Sequence, residues 1–208
     1  MTVVKRNAAG FSMDLSSGAM VIPSSVTNTH TFVNRNSTLG NPLNNFSTAS
    51  QAPSAATRTY LTGSNIAIPA GKMQIGTIFR WTFDVTKTGA GTAAATFDVC
   101  FGTAGTTADT ARVSFAKPAG TGVIDNAKVV IECVIRGPLS SSGIAYGHFN
   151  MTHNLSATGF ATIPAVNVTT ISSTFDVTVA NLIAGVCITS GASDAWTIQN
   201  VIAETLNL

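Results

Sequence analysis

Three histidines are the first side chains to consider for catalysis or metal binding: His30, His148 and His153. His30 lies in a polar tract without an acidic neighbour in the sequence. His148 and His153 are five residues apart in a strand-like stretch, which places them on opposite faces and disfavours a shared metal ion. We therefore interpret all three as solvated or packing side chains and predict no metal site.

The nine carboxylates could supply acid–base chemistry, but several fall on the polar side of strand-like segments. A glycosidase needs two facing carboxylates at a fixed separation, and no spacing in the sequence marks such a pair. The chain also lacks a Gly-x-Ser-x-Gly nucleophile elbow, a phosphate loop ending in Lys-Ser/Thr and a calcium loop. These absences predict a protein that is not an enzyme and needs no cofactor.

The three cysteines, Cys100, Cys133 and Cys187, form neither a disulfide framework nor a Cys-x-x-Cys motif. Each lies beside Val, Phe or Ile in a strand-like run, where cysteine behaves as a small apolar residue. The interpretation is structural packing, and synthesis in a reducing host cytoplasm fits it.

Charge is unusually scarce: 10% of the residues are charged, against roughly a quarter in an ordinary soluble domain. Such a chain has few means of staying monomeric, which favours a surface covered by partners. The formal net charge is +2, and only Lys5 and Arg6 form a basic pair. A direct nucleic-acid interface needs a clustered basic face, so none is expected. No apolar run is long enough for a membrane span.

Period-two alternation of apolar and polar residues dominates from residue 57 onward. The firmest example is 75–85, where Ile75, Phe79, Trp81, Phe83 and Val85 share one face. Further strands are predicted around 93–101, 111–115, 129–135, 144–155, 174–179, 184–188 and 196–198, separated by Gly-rich turns. Tyr146 has the same strand parity as Ile144, which predicts that it packs inside.

Eight or nine short strands without a helical pattern predict an all-β fold, an antiparallel β-sandwich resembling a jelly roll, over residues 57–208. Residues 1–56 contain sparse apolar side chains without a sustained period and several prolines, which predicts either a flexible tail or an extended arm with little regular structure. We favour an arm that lies across a neighbouring subunit. Its predicted assembly anchors are Phe11, Met13, Leu15, Val21, Ile22 and Phe32.

Residues 60–77 read YLTGSNIAIPAGKMQIGT, and an aromatic strand, IFRWTF, and a Thr-Gly-Ala-Gly turn follow. This pattern, with ATFDVCFG and the C-terminal WTIQNVIAE, resembles the small β-sandwich virion proteins of tailed bacteriophages. The resemblance covers roughly residues 57–208. It implies a capsid decoration, head-fibre or tail-appendage protein in a cyclic oligomer, and it offers no catalytic motif.

Three functions follow as hypotheses. The first is a structural virion protein that packs as a homo-oligomer, a trimer above all, against neighbours such as the major capsid protein. The second is a glycan- or receptor-binding module at a tail tip or fibre, and the third is the jelly-roll coat protein of a small virus. The first would place the protein in the virion.

Overall fold

The computed structural model describes residues 5–6, 12–13, 20–21, 44–161, 167–191 and 195–208. The chain divides into two compact units, residues 1–34 and 35–208. In the first unit three two-residue strands, β1 (Lys5–Arg6), β2 (Ser12–Met13) and β3 (Met20–Val21), pair in the order β1-β2-β3. The predicted anchors Phe11, Leu15, Ile22 and Phe32 lie outside the described residues, so the assembly role of this segment stays a prediction.

The second unit is a β-sandwich, and no helix occurs in its described parts, which confirms the predicted all-β class. Its strands are β4 (Asn45–Ser47), β5 (Thr59–Tyr60), β6 (Ile66–Ile68), β7 (Ile78–Lys87), β8 (Ala95–Gly102), β9 (Thr110–Lys117), β10 (Asp125–Ile135), β11 (Ala145–His153), β12 (Asn167–Ile171), β13 (Leu182–Thr189), β14 (Trp196–Ile198) and β15 (Val201–Leu206).

Seven of these strands form the larger sheet, in the order β12-β11-β10-β7-β15-β4, and β14 also pairs with β7. The smaller sheet has the order β5-β13-β8-β9, with β6 also on β13. All strand pairs in both sheets are antiparallel. The sandwich includes chain before residue 57, since β4 pairs with β15 and Gln51 forms an antiparallel bridge with Ile198.

Aromatic rings from both sheets meet in the core. Phe97 of the smaller sheet lies 6.0 Å from Phe83 and 4.9 Å from Phe149 of the larger sheet, measured between ring centroids. Phe79, Trp81, Phe83 and Val85 are all fully buried, as the alternation of strand β7 predicts. Burial of each such side chain contributes roughly 1.5–3 kcal/mol, so this layer stabilises the packing of the two sheets.

Two details of the predicted strands are wrong. Ile75 is 64% exposed, because β7 begins only at Ile78 and the turn before it does not follow the strand's alternation. Residues 174–179 alternate and bury Phe175 and Val177, but they form only an isolated bridge from Phe175 to Gly143. Alternation there reflects burial of side chains and not pairing in a sheet.

Candidate functional site

The outer face of the larger sheet carries polar side chains that are exposed or half-buried. On β7, β10 and β11 every second residue points away from the core. We call this surface the outer face, and it includes Ile78, Arg80, Thr82, Asp84, Lys128, Val130, Glu132, Val134, Tyr146, His148, Asn150, Thr169, Ile202 and Glu204.

One row of this face is charged. The strand register places Glu132 opposite both His148 and Arg80, and Arg80 opposite Glu204. Nε of Arg80 donates to Oε1 of Glu132 at 2.5 Å, and both side chains are about one-third exposed. Neighbouring strands are about 4.8 Å apart, so side chains far apart in the sequence become neighbours here.

His148 and Tyr146 stand next to each other on the same side of β11. Nδ1 of His148 lies 3.1 Å from Oγ1 of Thr169 on β12, a contact that orients the imidazole ring. Tyr146 is 39% exposed, and the guanidinium carbon of Arg136 lies 5.2 Å from its ring centroid. The prediction that Tyr146 packs inside is therefore wrong, since Ala145, Gly147 and Phe149 are the residues that face the core.

Shallow grooves border the outer face, and two of them carry exposed apolar side chains. One, of about 410 Å³, runs between β4 and β15 and is lined by Phe46, Ile202 and Glu204 among others. The second, of about 470 Å³, lies beside Ile75, Val134, Arg136 and Tyr146. Phe46 in the first groove is 63% exposed and Ile75 in the second is 64% exposed. Each groove therefore offers apolar surface next to a charged side chain, Glu204 in the first and Arg136 in the second.

His148 and His153 do lie on opposite sides of β11, as the sequence predicts. His153 is not solvated, however: its Nδ1 lies 2.9 Å from Oδ2 of Asp125, whose side chain is fully buried. Burial opposes ionisation of Asp125, but hydrogen bonds from the backbone N–H groups of Phe160 and Asn126 and from His153 outweigh it and lower the pKa of this carboxyl group. This pair is enclosed and serves the structure.

The cysteines divide into two environments. Cys133 is fully buried in the core between the sheets, which confirms the packing interpretation for that residue. Cys100 and Cys187 are also buried, but their sulfur atoms are 3.5 Å apart and they lie beside Arg58. No pattern in the sequence indicates this pair, because its two members are 87 positions apart.

Among the described residues, no group of three or more His, Cys, Asp or Glu side chains could hold a metal ion. The described parts of the chain also contain no helix that could cross a membrane.

No protein-family model matches the sequence, and no curated protein matches it. A search of solved structures found similarity to a variant of the alginate lyase Aly36B in complex with an alginate trisaccharide. The sequence identity is 12% and the TM-score 0.37, and the match covers 76% of this chain and 81% of that chain.

This comparison corrects two predictions. The chain was expected to be a structural virion protein and not an enzyme, whereas the structure found is that of a lyase, and we carry neither prediction further. The absence of a local catalytic motif does not exclude an enzyme, because a sheet assembles polar side chains from strands that are distant in the sequence. At this TM-score the similarity does not indicate a substrate or a reaction for this chain.

Proposed function

We propose that this protein is a saccharide-binding β-sandwich that holds a glycan across the outer face of its larger sheet. The observation that carries the proposal is the placement of the exposed Tyr146 beside the charged row of His148, Glu132 and Arg80. A sugar ring presents apolar C–H groups on its faces and hydroxyl groups around its edge. A surface that binds it therefore combines an aromatic ring with closely spaced donors and acceptors.

The aromatic part is Tyr146, which protrudes from the sheet at the edge of the groove beside Ile75 and Arg136. The Arg136 guanidinium is close to the tyrosine ring, so the ring and a strong hydrogen-bond donor are presented together. A ligand that stacks on the ring can also bond to the guanidinium.

The polar part is the charged row. Glu132 can accept hydrogen bonds from hydroxyl groups, Arg80 can donate them, and His148 can do either according to its tautomer. The row spans five strands from Thr169 to Glu204, or about 19 Å. This length suits an extended oligosaccharide better than a single sugar.

The charges of the face favour a neutral glycan over a polyuronate. Among the described residues of the face and its rim, three cations accompany three carboxylates: Arg80, Lys128 and Arg136 against Asp84, Glu132 and Glu204. Arg80 is already paired with Glu132. A surface that selects acidic chains would carry a surplus of positive charge, and this face has none.

Affinity gel electrophoresis with soluble neutral and acidic polysaccharides tests the proposal. We expect neutral polysaccharides to retard the native protein, and Tyr146→Ala and Glu132→Ala each to weaken binding about tenfold, or about 1.4 kcal/mol. Thr110→Ala, an exposed change on β9 of the other sheet, is the matched control and should bind as the native protein does.

Mixtures of the protein with each polysaccharide are also assayed for new polysaccharide chain ends. An increase in chain ends would show that a bound polysaccharide is also cleaved. Absence of retardation by every polysaccharide would reject the proposed function. Retardation by acidic polysaccharides alone would reject the proposal that the ligand is a neutral polysaccharide. If the Tyr146→Ala variant bound as well as the native protein, the binding site could not be assigned to the outer face.

A further inference from the structure

The pair Cys100 and Cys187 lies on the side of the smaller sheet that faces away from the core. Cys187 is opposite Asp98 in the register between β13 and β8, and Cys100 is opposite Gly185. The two cysteines are therefore diagonal neighbours on adjacent strands. A bulge between Val99 and Cys100 interrupts the register of β8 with its other neighbour, β9.

Arg58 lies against the Cys100 thiol. Its Nη2 atom is 2.7 Å from Sγ of Cys100, and its Nε atom is 3.1 Å from Oδ2 of Asp98. Asp98 also accepts a hydrogen bond of 2.6 Å from the Ser114 hydroxyl group. The carboxylate thus holds the guanidinium in place against the sulfur atom of Cys100, and the Arg58 side chain is 26% exposed.

The two thiols are not equivalent. The Cys100 thiol donates to Sγ of Cys187 at 3.5 Å. This hydrogen bond lowers the pKa of Cys187, and the positive charge of Arg58 acts in the same direction, against the effect of burial. The Arg58 guanidinium, 2.7 Å from Sγ of Cys100, thus favours a negative charge within this pair, and the hydrogen bond that Cys100 donates favours its location on Cys187.

We propose that Cys100 and Cys187 form an oxidation site, which a small peroxide converts into a disulfide bond while Cys133 remains a thiol. A disulfide needs an S–S distance of about 2.05 Å, so the two sulfur atoms must approach by about 1.5 Å from their present 3.5 Å. Diagonal neighbours stand about 7–8 Å apart, so this approach requires a small movement of the two strands toward each other as well as rotation about the χ1 angles.

The chemistry balances with hydrogen peroxide as the oxidant. The Cys187 thiolate attacks one peroxide oxygen, an S–O bond forms, the O–O bond breaks, and the hydroxide released takes up a proton to leave as water. Cys187 is then a sulfenic acid. The Cys100 sulfur atom attacks the Cys187 sulfur atom, the S–S bond forms, the S–O bond breaks, and the second water leaves with the proton of Cys100. Two thiols and one peroxide give one disulfide and two waters.

This inference does not depend on the proposed saccharide binding. Its test uses the folded 208-residue chain, which is treated with hydrogen peroxide and then denatured in the presence of N-ethylmaleimide. We expect one alkylated thiol in place of three, and a tryptic cross-link between residues 88–112 and 137–208. The peptide 129–136, which contains Cys133, should carry the label. Dithiothreitol should restore three reactive thiols.

Matched variants separate this site from general oxidation. Cys133→Ala should form the disulfide as the native protein does, whereas Cys187→Ser should not form it. Arg58→Gln should slow formation about tenfold, because it removes the charge that favours the thiolate. The oxidised native protein should also melt about 5–10 °C higher, because the bond closes a long loop in the unfolded chain.

Three labelled thiols after treatment of the folded protein would overturn the proposal. So would a cross-link that contains Cys133 or that joins two chains. If the Arg58→Gln variant were oxidised as fast as the native protein, Arg58 would not contribute to the reactivity of the two cysteines.

Discussion

The Nδ1 atom of His153 lies 2.9 Å from Oδ2 of Asp125, and this contact joins the last residue of β11 to the first residue of β10. The same carboxylate oxygen accepts the backbone N–H of Phe160 at 2.9 Å. Phe160 packs edge-on against Trp196, with ring centroids 5.0 Å apart. The Asp125 carboxylate therefore connects two strands of the larger sheet to the turn that closes one end of the core.

Asp125→Asn should lower the free energy of unfolding by about 1–3 kcal/mol at pH 7, because the amide NH₂ cannot accept the N–H groups that the carboxylate accepts. The pKa of Asp125 is lowered in the folded protein. Its contribution is therefore complete above the ordinary aspartate value near pH 4 and is lost as the pH falls through the folded-state pKa.

Urea unfolding of the native protein and of Asp125→Asn at pH 7 and at pH 3 measures this contribution. The difference between the two proteins should shrink at pH 3. Asp84→Asn, a change at an exposed carboxylate, is the control and should alter stability little at either pH. A difference that stays constant with pH would show that ionisation of Asp125 does not stabilise the fold.

Trp81→Asp should abolish cooperative thermal unfolding. Trp81 is fully buried, and its Nε1 atom donates to the Ser64 carbonyl oxygen at 2.7 Å. The substitution replaces that donor and the large apolar ring with a buried, unpaired carboxylate. Thr82→Asp, the next residue on the outward side of the same strand, should still melt cooperatively. A cooperative transition in the Trp81→Asp variant would contradict the assigned core face.

The fold could be predicted from the sequence wherever the signal is local. The alternation that buries Phe79, Trp81 and Phe83 arises from the geometry of one strand, because successive side chains point to opposite sides. The parity of β11 was predictable too, since Phe149 and Met151 mark its inward side. Ile144 precedes β11 and has the opposite parity to Phe149, so its parity predicts the wrong face for Tyr146.

The candidate site could not be predicted, because it depends on register between strands that are distant in the sequence. Nothing near Arg80 in the chain indicates that Glu132 and Glu204 will flank it. The lengths of several turns set those pairings, and a shift by one residue would turn each side chain to the other face. The contact between Cys100 and Cys187 is hidden from the sequence for the same reason.

Lys87→Met should lower the free energy of unfolding by about 2–4 kcal/mol, because it removes a buried hydrogen-bond donor. The loss is expected even though methionine keeps the length of the side chain and removes a charge from the interior. Lys87 is 1% exposed, and Nζ donates to the carbonyl oxygens of Thr88, Thr121 and Val123. Methionine leaves these three acceptors without that donor.

The midpoint of urea unfolding at constant slope gives the change in stability for the Lys87 variant. Lys128→Met, on the exposed side of the neighbouring strand β10, is the matched control and should change stability by about 0.5 kcal/mol or less. Equal midpoints for the two variants would show that the buried ammonium group does not hold the surrounding loops.

Gly147→Ala should destabilise the sandwich by about 1–3 kcal/mol. Gly147 is on the core side of β11, where an added Cβ atom would lie 2.6 Å from Cγ1 of Val113 and 2.8 Å from Cζ of Phe115. Both neighbours belong to the opposite sheet, so the methyl group would push the two sheets apart. Gly122→Ala is the control, because the nearest atom to its added Cβ would be 3.7 Å away. Thermal unfolding should give a lower midpoint for Gly147→Ala than for Gly122→Ala, and the reverse order would contradict the close approach of the sheets at this position.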